Sequence, residues 1–124
     1  MIPVETKDAP IPSGPYSQAV VSENTVYVSG QIPADPVSGT IPEGTEDQIR
    51  TAMRNLASVL SAAGVKKGSV LRVTVYLTDM NDFALMNSVY KETFSEPYPT
   101  RTCVGVSSLP KGVKIMVDAI GERH

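Results

Sequence analysis

The sequence has no tryptophan, one histidine and one cysteine, and each scarcity closes off a class of chemistry. His124 ends the chain, where side chains are rarely held in place, so Ser-His-Asp and Cys-His catalytic machines are excluded. Cys103, alone, forms neither an internal disulfide nor a zinc cluster, which fits a reducing compartment. Carboxylates and histidine do not cluster as metal ligands, and the glycines lie in no phosphate-loop pattern. Basic runs are missing too. No Lys/Arg block exceeds Lys66-Lys67, the formal charge is −2 and the sequence pI is near 5.3, so a nucleic-acid partner is not expected. No apolar run approaches membrane-spanning length, and Met1-Ile2-Pro3-Val4-Glu5 offers neither a basic nor an apolar leader; the expectation is a soluble, cytoplasmic protein with no membrane partner.

What is present is the composition of one folded domain. With 41% apolar and 19% charged residues, 124 residues suffice for one core, so residues 1–124 are read as a single domain. Pro3, Pro10, Pro12 and Pro15, with Ser13-Gly14, describe an extended, turning arm over the surface. Ala19-Val20-Val21 and Val26-Tyr27-Val28 flank Glu23-Asn24 as a hairpin, and Gly30 through Gly39 reads as a loop. Thr45-Glu46-Asp47-Gln48 matches a capping box. Ile49, Ala52, Met53, Leu56, Leu60 and Ala63 follow it at helical spacing, with Gly64 as the stop. Ser69–Thr78 alternates as a strand, and Phe83, Met86, Tyr90 and Phe94 mark a second helix with Asn81 as its cap. Arg101–Ser107 and Lys114–Gly121 close the chain as strands. The order β-β-α-β-α-β-β predicts an α+β fold, a mixed sheet with two helices on one face.

Parity then assigns the faces. Leu71, Val73, Val75, Leu77, Thr102, Val104, Val106, Ile115, Val117 and Ala119 are expected under the helices. Arg101, Cys103, Gly105, Met116, Asp118 and Ile120 are expected on the other face, with Val70 and Tyr76. Val70, Tyr76, Cys103, Met116 and Ile120 would form an apolar surface that one small domain cannot cover, which predicts a homo-oligomer unless a bulge shifts the parity.

Chemistry is thus left to Arg, Tyr, Ser, Asn, Cys, Asp and backbone groups. Arg101 opens a strand after the stiff Pro97-Tyr98-Pro99 segment, and its planar fork suits a small carboxylate; alternatively it pairs with a structural acid. Asp118, between Met116 and Ile120, needs a partner or water, either as a catalytic acid or in an Arg/Asp ion pair. Cys103 lacks a basic neighbour to ionise it and reads as a small apolar residue.

Five motifs in order carry a resemblance along nearly the whole chain: Gly14-Pro15-Tyr16-Ser17-Gln18-Ala19, Ser29-Gly30-Gln31-Ile32-Pro33, Asp82–Asn87 with Tyr90, Tyr98–Val104, and Leu109–Ile115. The chain resembles the RidA (YjgF) family. The resemblance implies a chorismate-mutase-like fold, a homotrimer with sites in the clefts between subunits, and cofactor-free hydrolysis of 2-imino and enamino acids to 2-keto acid and ammonia. It assigns Arg101 to the substrate carboxylate, places the Cys103 backbone beside the imine and water, and puts Tyr16, Ser29, Gly30 and Asn87 in the pocket wall. Asn87 also reads as a helix-surface amide. Asp118 matches a position where the family's deaminases typically carry a glutamate that orients the attacking water; aspartate reaches about 1.3–1.5 Å less far. Thr100 stands where alanine is common and faces away from Arg101. A non-catalytic sensor that binds small 2-keto or other carboxylic acids in the same cleft is the competing reading.

Overall fold

The computed structural model describes residues 1–124. A six-stranded sheet in the order β1-β2-β3-β6-β4-β5 carries both helices on one face. Its strands are β1 (Ile2–Val4), β2 (Ala19–Ser22), β3 (Thr25–Gln31), β4 (Val70–Leu77), β5 (Thr100–Gly105) and β6 (Ile115–Glu122); the helices are α1 (Thr45–Ala62) and α2 (Phe83–Thr93). The expected α+β architecture holds, with one addition. The proline-rich arm begins with β1, which pairs antiparallel with β2 and caps the sheet edge. Only β4 and β5 run parallel, and α2 is their crossover.

Helix α1 buries the expected stripe: Ile49, Ala52, Met53, Leu56 and Leu60 are all core. Its end is a Schellman motif, with Gly64 at φ +82, the Gly64 N–H donating to the Ser61 carbonyl, and the Val65 N–H donating to the Leu60 carbonyl. Its start differs from expectation. The N-cap is Gly44, without a side-chain cap, and Thr45 is already helical. Gln48 does not reach back to close a capping box. Its amide donates to the Pro42 carbonyl (2.8 Å) and accepts from the Lys114 N–H (2.9 Å), tying the helix start to the segment before β6. In α2 the cap also moves: the Asp79 side chain, not that of Asn81, accepts from the Asn81 N–H and starts a short 3-10 turn ahead of the helix.

Two bulges decide which side chains face which way. Between β4 and β6 the register slips after the Val70–Gly121 pair, and Arg72 is next to pair, with Ile120. Leu71 is the extra residue. Val70 therefore enters the core at 6% exposure and Leu71 is left 45% exposed, the reverse of strict alternation. The second bulge lies in β3, where Val28 pairs with Ala119 and Gln31 with Val117, leaving Ser29 and Gly30 between. Gly30 is thus a strand residue rather than the first residue of a loop.

The parity of β5 is also inverted. Register pairs Val73 with Arg101, Val75 with Cys103 and Leu77 with Gly105, so these residues share the helix-covered face. Thr102 and Val104 face the open side beside Thr74 and Tyr76. The inversion follows from β5 being an edge strand. With little to bury on either side, its sequence does not report its face.

Candidate functional site

The expected site residues fall into two groups, not one. Thr74 pairs with Asp118 on one side and with Thr102 on the other, so Asp118 lies on the open face, whereas Arg101 lies on the helix face. Arg101 and Asp118 do not form an ion pair; the salt bridges in the molecule are those of Arg50 with Glu46 and Glu92.

The first group surrounds a cavity of about 400 Å³ on the open face, lined by Tyr16, Ser29, Gly30, Ile32, Met116 and Asp118 among others. The β3 bulge aims Ser29 and Gly30 into it. Ser29 is fixed twice: its hydroxyl donates to the Ser17 carbonyl (2.7 Å) and its N–H to the Gln18 carbonyl (2.9 Å). A Cβ at Gly30 would sit 2.7 Å from the Met116 sulfur, so a larger residue there requires the Met116 side chain to move. Tyr16 is placed by the arm, which Gln18 holds. Buried to 2% exposure, the Gln18 side chain accepts from the Thr6 N–H and donates to the Thr6, Ala9 and Pro10 carbonyls. Asn55 of α1 does the same for the loop carrying Ile32, donating to the Ile32 and Ala34 carbonyls at 2.9 Å each. On β6, Asp118 Oδ2 accepts from the Tyr76 hydroxyl at 3.0 Å, a diagonal neighbour across the β4–β6 pair. Burial first, then this bond, pushes the Tyr76 phenol up, so it stays a neutral donor.

The second group sits at the β5 edge. Arg101, Asn87, Tyr90, Lys91, Tyr98 and Pro99 line a hollow of about 300 Å³ between β5 and α2. The Arg101 guanidinium carbon lies 4.8 Å from the Tyr90 ring centroid and 5.5 Å from that of Phe83. No protein acceptor takes a hydrogen bond from it, so its donors are free for a ligand. Asn87 therefore shares the hollow of Arg101 and not that of Asp118. Cys103, next on this face, packs against the core. Burial pushes its thiol up, and Arg101 only partly offsets this.

Sequence reading missed Tyr76, Tyr90, Tyr98 and Met116 as site residues. Parity had already placed Tyr76 and Met116 on the face of Asp118, which was a usable signal. For Tyr90 the helical stripe pointed only to the core.

An α+β chain with a helix-covered sheet and these two hollows defines the class of small protein at hand. The family model described as Endoribonuclease L-PSP matches residues 6–122, and the chain belongs to this family, the RidA (YjgF) proteins. A RutC family protein of Pyrococcus horikoshii is 51% identical over 120 residues, covering 96% of this chain and 95% of its own. The 2-iminobutanoate/2-iminopropanoate deaminase of Salmonella typhimurium is 42% identical over 124 residues, covering 98% of this chain and 97% of its own. Among solved structures, Escherichia coli TdcF with bound serine superposes with a TM-score of 0.94 at 42% identity, covering 100% of both chains. The chorismate-mutase-like α+β fold is common to these chains. No helix is long and apolar enough to cross a membrane.

Proposed function

We propose that the protein is a deaminase of small 2-imino acids, acting without a cofactor at a site completed by two copies of the chain in a homotrimer. The observation that carries this is the separation of Arg101 and Asp118 onto opposite faces of one sheet, each in its own open hollow. One copy then supplies Arg101 and Asn87, with the Cys103 backbone on the free edge of β5, and its neighbour supplies Tyr16, Ser29, Gly30 and Asp118. Assembly is favoured by what a lone chain leaves uncovered. Tyr27 (47% exposed) and Val104 (38%) lie on the open face with Met116 and Ile120, and β5 is an unpaired edge. Val70 and Cys103 do not belong to this surface, which Tyr27 and Val104 enlarge instead.

The reaction is redox-neutral. Arg101 holds the carboxylate with two parallel N–H donors and so fixes the imine carbon in the cleft. Water adds to that carbon of the protonated imine while Asp118, oriented by Tyr76, takes a water proton. Asp118 returns that proton to the nitrogen of the resulting carbinolamine, and the C–N bond breaks as the carbinol O–H proton passes back to Asp118 and the C=O forms, releasing ammonia and the 2-keto acid. The kinship with a named imine deaminase at 42% identity supports this chemistry. RNA cleavage has no comparable footing at a charge of −2 with no longer basic run than Lys66-Lys67.

Complementation tests it. Arg101→Ala and Asp118→Asn chains, each impaired in deamination of freshly generated 2-iminopropanoate, should exceed the mean of their separate activities when co-refolded, because a mixed interface reunites an intact Arg101 with an intact Asp118. Light scattering should give a mass near three chains. A mixture no more active than the mean of its parts, or a stable monomer, would overturn the shared site. Keto-acid binding without any imine turnover in the unmodified protein would replace the enzyme with a carboxylate sensor.

A further inference from the structure

An arginine that binds a substrate carboxylate faces two opposed requirements. It must be held, since its rotamer entropy is about 2 kcal/mol. It must also keep its N–H donors and its charge free, which a carboxylate partner would prevent. Arg101 meets the first requirement without an acid. The one acid of α2, Glu92, is bound to Arg50 of α1 at 2.8 Å, and no hydrogen bond within the chain uses the Arg101 guanidinium.

We propose that Tyr90 and Phe83 are positioning residues that seat the Arg101 guanidinium on their ring faces and so fix its fork for a carboxylate ligand. This rests on the role given to Arg101 above. The seat comes from the helix period: residues 83 and 90 are seven apart, two turns along one face of α2, and the β4–β5 register turns Arg101 toward that face. Tyr90 is its floor. It is 5% exposed and its ring is braced by Phe94 at 4.9 Å between centroids. Phe83, 39% exposed, is the rim. An aromatic face attracts the cation through its quadrupole yet takes none of its N–H donors, so the full positive charge remains for the ligand. The Tyr90 hydroxyl is buried and has no hydrogen-bond partner, which means that the ring, and not the hydroxyl, faces the task. Burial also pushes that phenol up to about 12, so the ring is neutral throughout the working range.

Three variants and Arg101→Ala as reference test the seat, each assayed for deamination of 2-iminopropanoate and for binding of pyruvate by titration calorimetry. Tyr90→Phe, which keeps the ring, should raise KM and the pyruvate Kd less than Tyr90→Leu does. Tyr90→Leu should raise both about five- to tenfold with kcat nearly unchanged, and Phe83→Leu about threefold. The Arg101 Nε–H proton should resonate upfield under the two ring currents and move downfield in both leucine variants, a readout that a merely structural role would not shift. Phe83→Leu, at a half-exposed position, keeps the test decisive should Tyr90→Leu fail to fold. Equal losses in Tyr90→Phe and Tyr90→Leu would transfer the role to the hydroxyl and overturn the proposal, as would unchanged affinity and Nε–H shift in folded leucine variants while Arg101→Ala loses binding. If Arg101→Ala itself binds pyruvate as the parent does, the carboxylate role of Arg101 falls, and the seat with it.

Discussion

The hollow around Asp118 and the hollow around Arg101 are built by opposite means. At Asp118 hydrogen bonds set the walls of the hollow: Gln18 fixes the arm, Asn55 the loop after β3, Ser29 the strand against the arm, and Tyr76 the carboxylate itself. At Arg101 the corresponding bonds are missing, and aromatic rings and an edge strand shape the hollow. The difference matches the two roles proposed for these residues. A group that must aim at one water needs directional bonds, whereas a group that must present a free charge needs a neutral, non-competing support.

The contrast breaks most sharply through affinity and turnover. Arg101→Ala should lower kcat/KM for imine hydrolysis about a hundredfold or more, because two charge-assisted hydrogen bonds to the substrate disappear, and pyruvate binding should vanish with it. Asp118→Asn should lower kcat about tenfold or more while leaving pyruvate binding largely intact, and Asp118→Glu, which adds the reach of the glutamate that the family resemblance implies at this position, should raise it. Calorimetry and steady-state kinetics on the same preparations separate the two outcomes. Identical patterns for Arg101→Ala and Asp118→Asn would mean that both residues serve one role.

Removing the anchors tests the polar side of the comparison. Gln18→Leu deletes the four hydrogen bonds that hold residues 6–10, a loss of about 3 kcal/mol in thermal unfolding. It should also open the arm to proteolysis and weaken the site through Tyr16. An unchanged melting temperature and an uncut arm would show that β1 alone holds the segment.

How much of this was legible follows from the same physics. Helix α1, the β2–β3 hairpin and β6 were readable because burial on one face imposes a period, and their apolar positions keep it without interruption. The faces of β4 and β5 were not. One extra residue at Leu71 exchanges inside for outside, and an edge strand has too little burial to declare its face. The buried amides Gln18, Gln48 and Asn55 were illegible for another reason: their partners are backbone carbonyls and N–H groups of distant segments, which leave no mark on side-chain pattern. The candidate site residues were named by motif, but their division into two groups required the register. A stability pair sharpens the point about β4. Val70→Ala should cost about 2 kcal/mol and Leu71→Ala less than about 0.5 kcal/mol in the isolated chain, the opposite of what alternation implies. Chemical denaturation of both variants at low protein concentration reads the difference.

The smallest effect is expected at Cys103, although it stands two residues from Arg101 on the same strand face. Proximity to a guanidinium usually favours a thiolate, but here burial against the core is the larger influence and pushes the thiol up from its ordinary value of 9.0, with Arg101 only partly opposing it. The neutral thiol therefore dominates at pH 7, where it is a poor nucleophile. Cys103→Ser should keep kcat/KM within about twofold and lower stability by about 1 kcal/mol or less, since a hydroxyl replaces a half-buried sulfur. The sign of the pH dependence follows from the same shift. The folded thiol is a weaker acid than the unfolded one, so its contribution to stability is intact below pH 9 and declines as pH rises through and above that value. Iodoacetamide labelling of the parent should accordingly be slow at pH 7 and still accelerating beyond pH 9. Rapid labelling at neutral pH, together with loss of turnover in a correctly assembled Cys103→Ser protein, would make the thiol a nucleophile and move the chemistry from water held by Asp118 to the β5 edge.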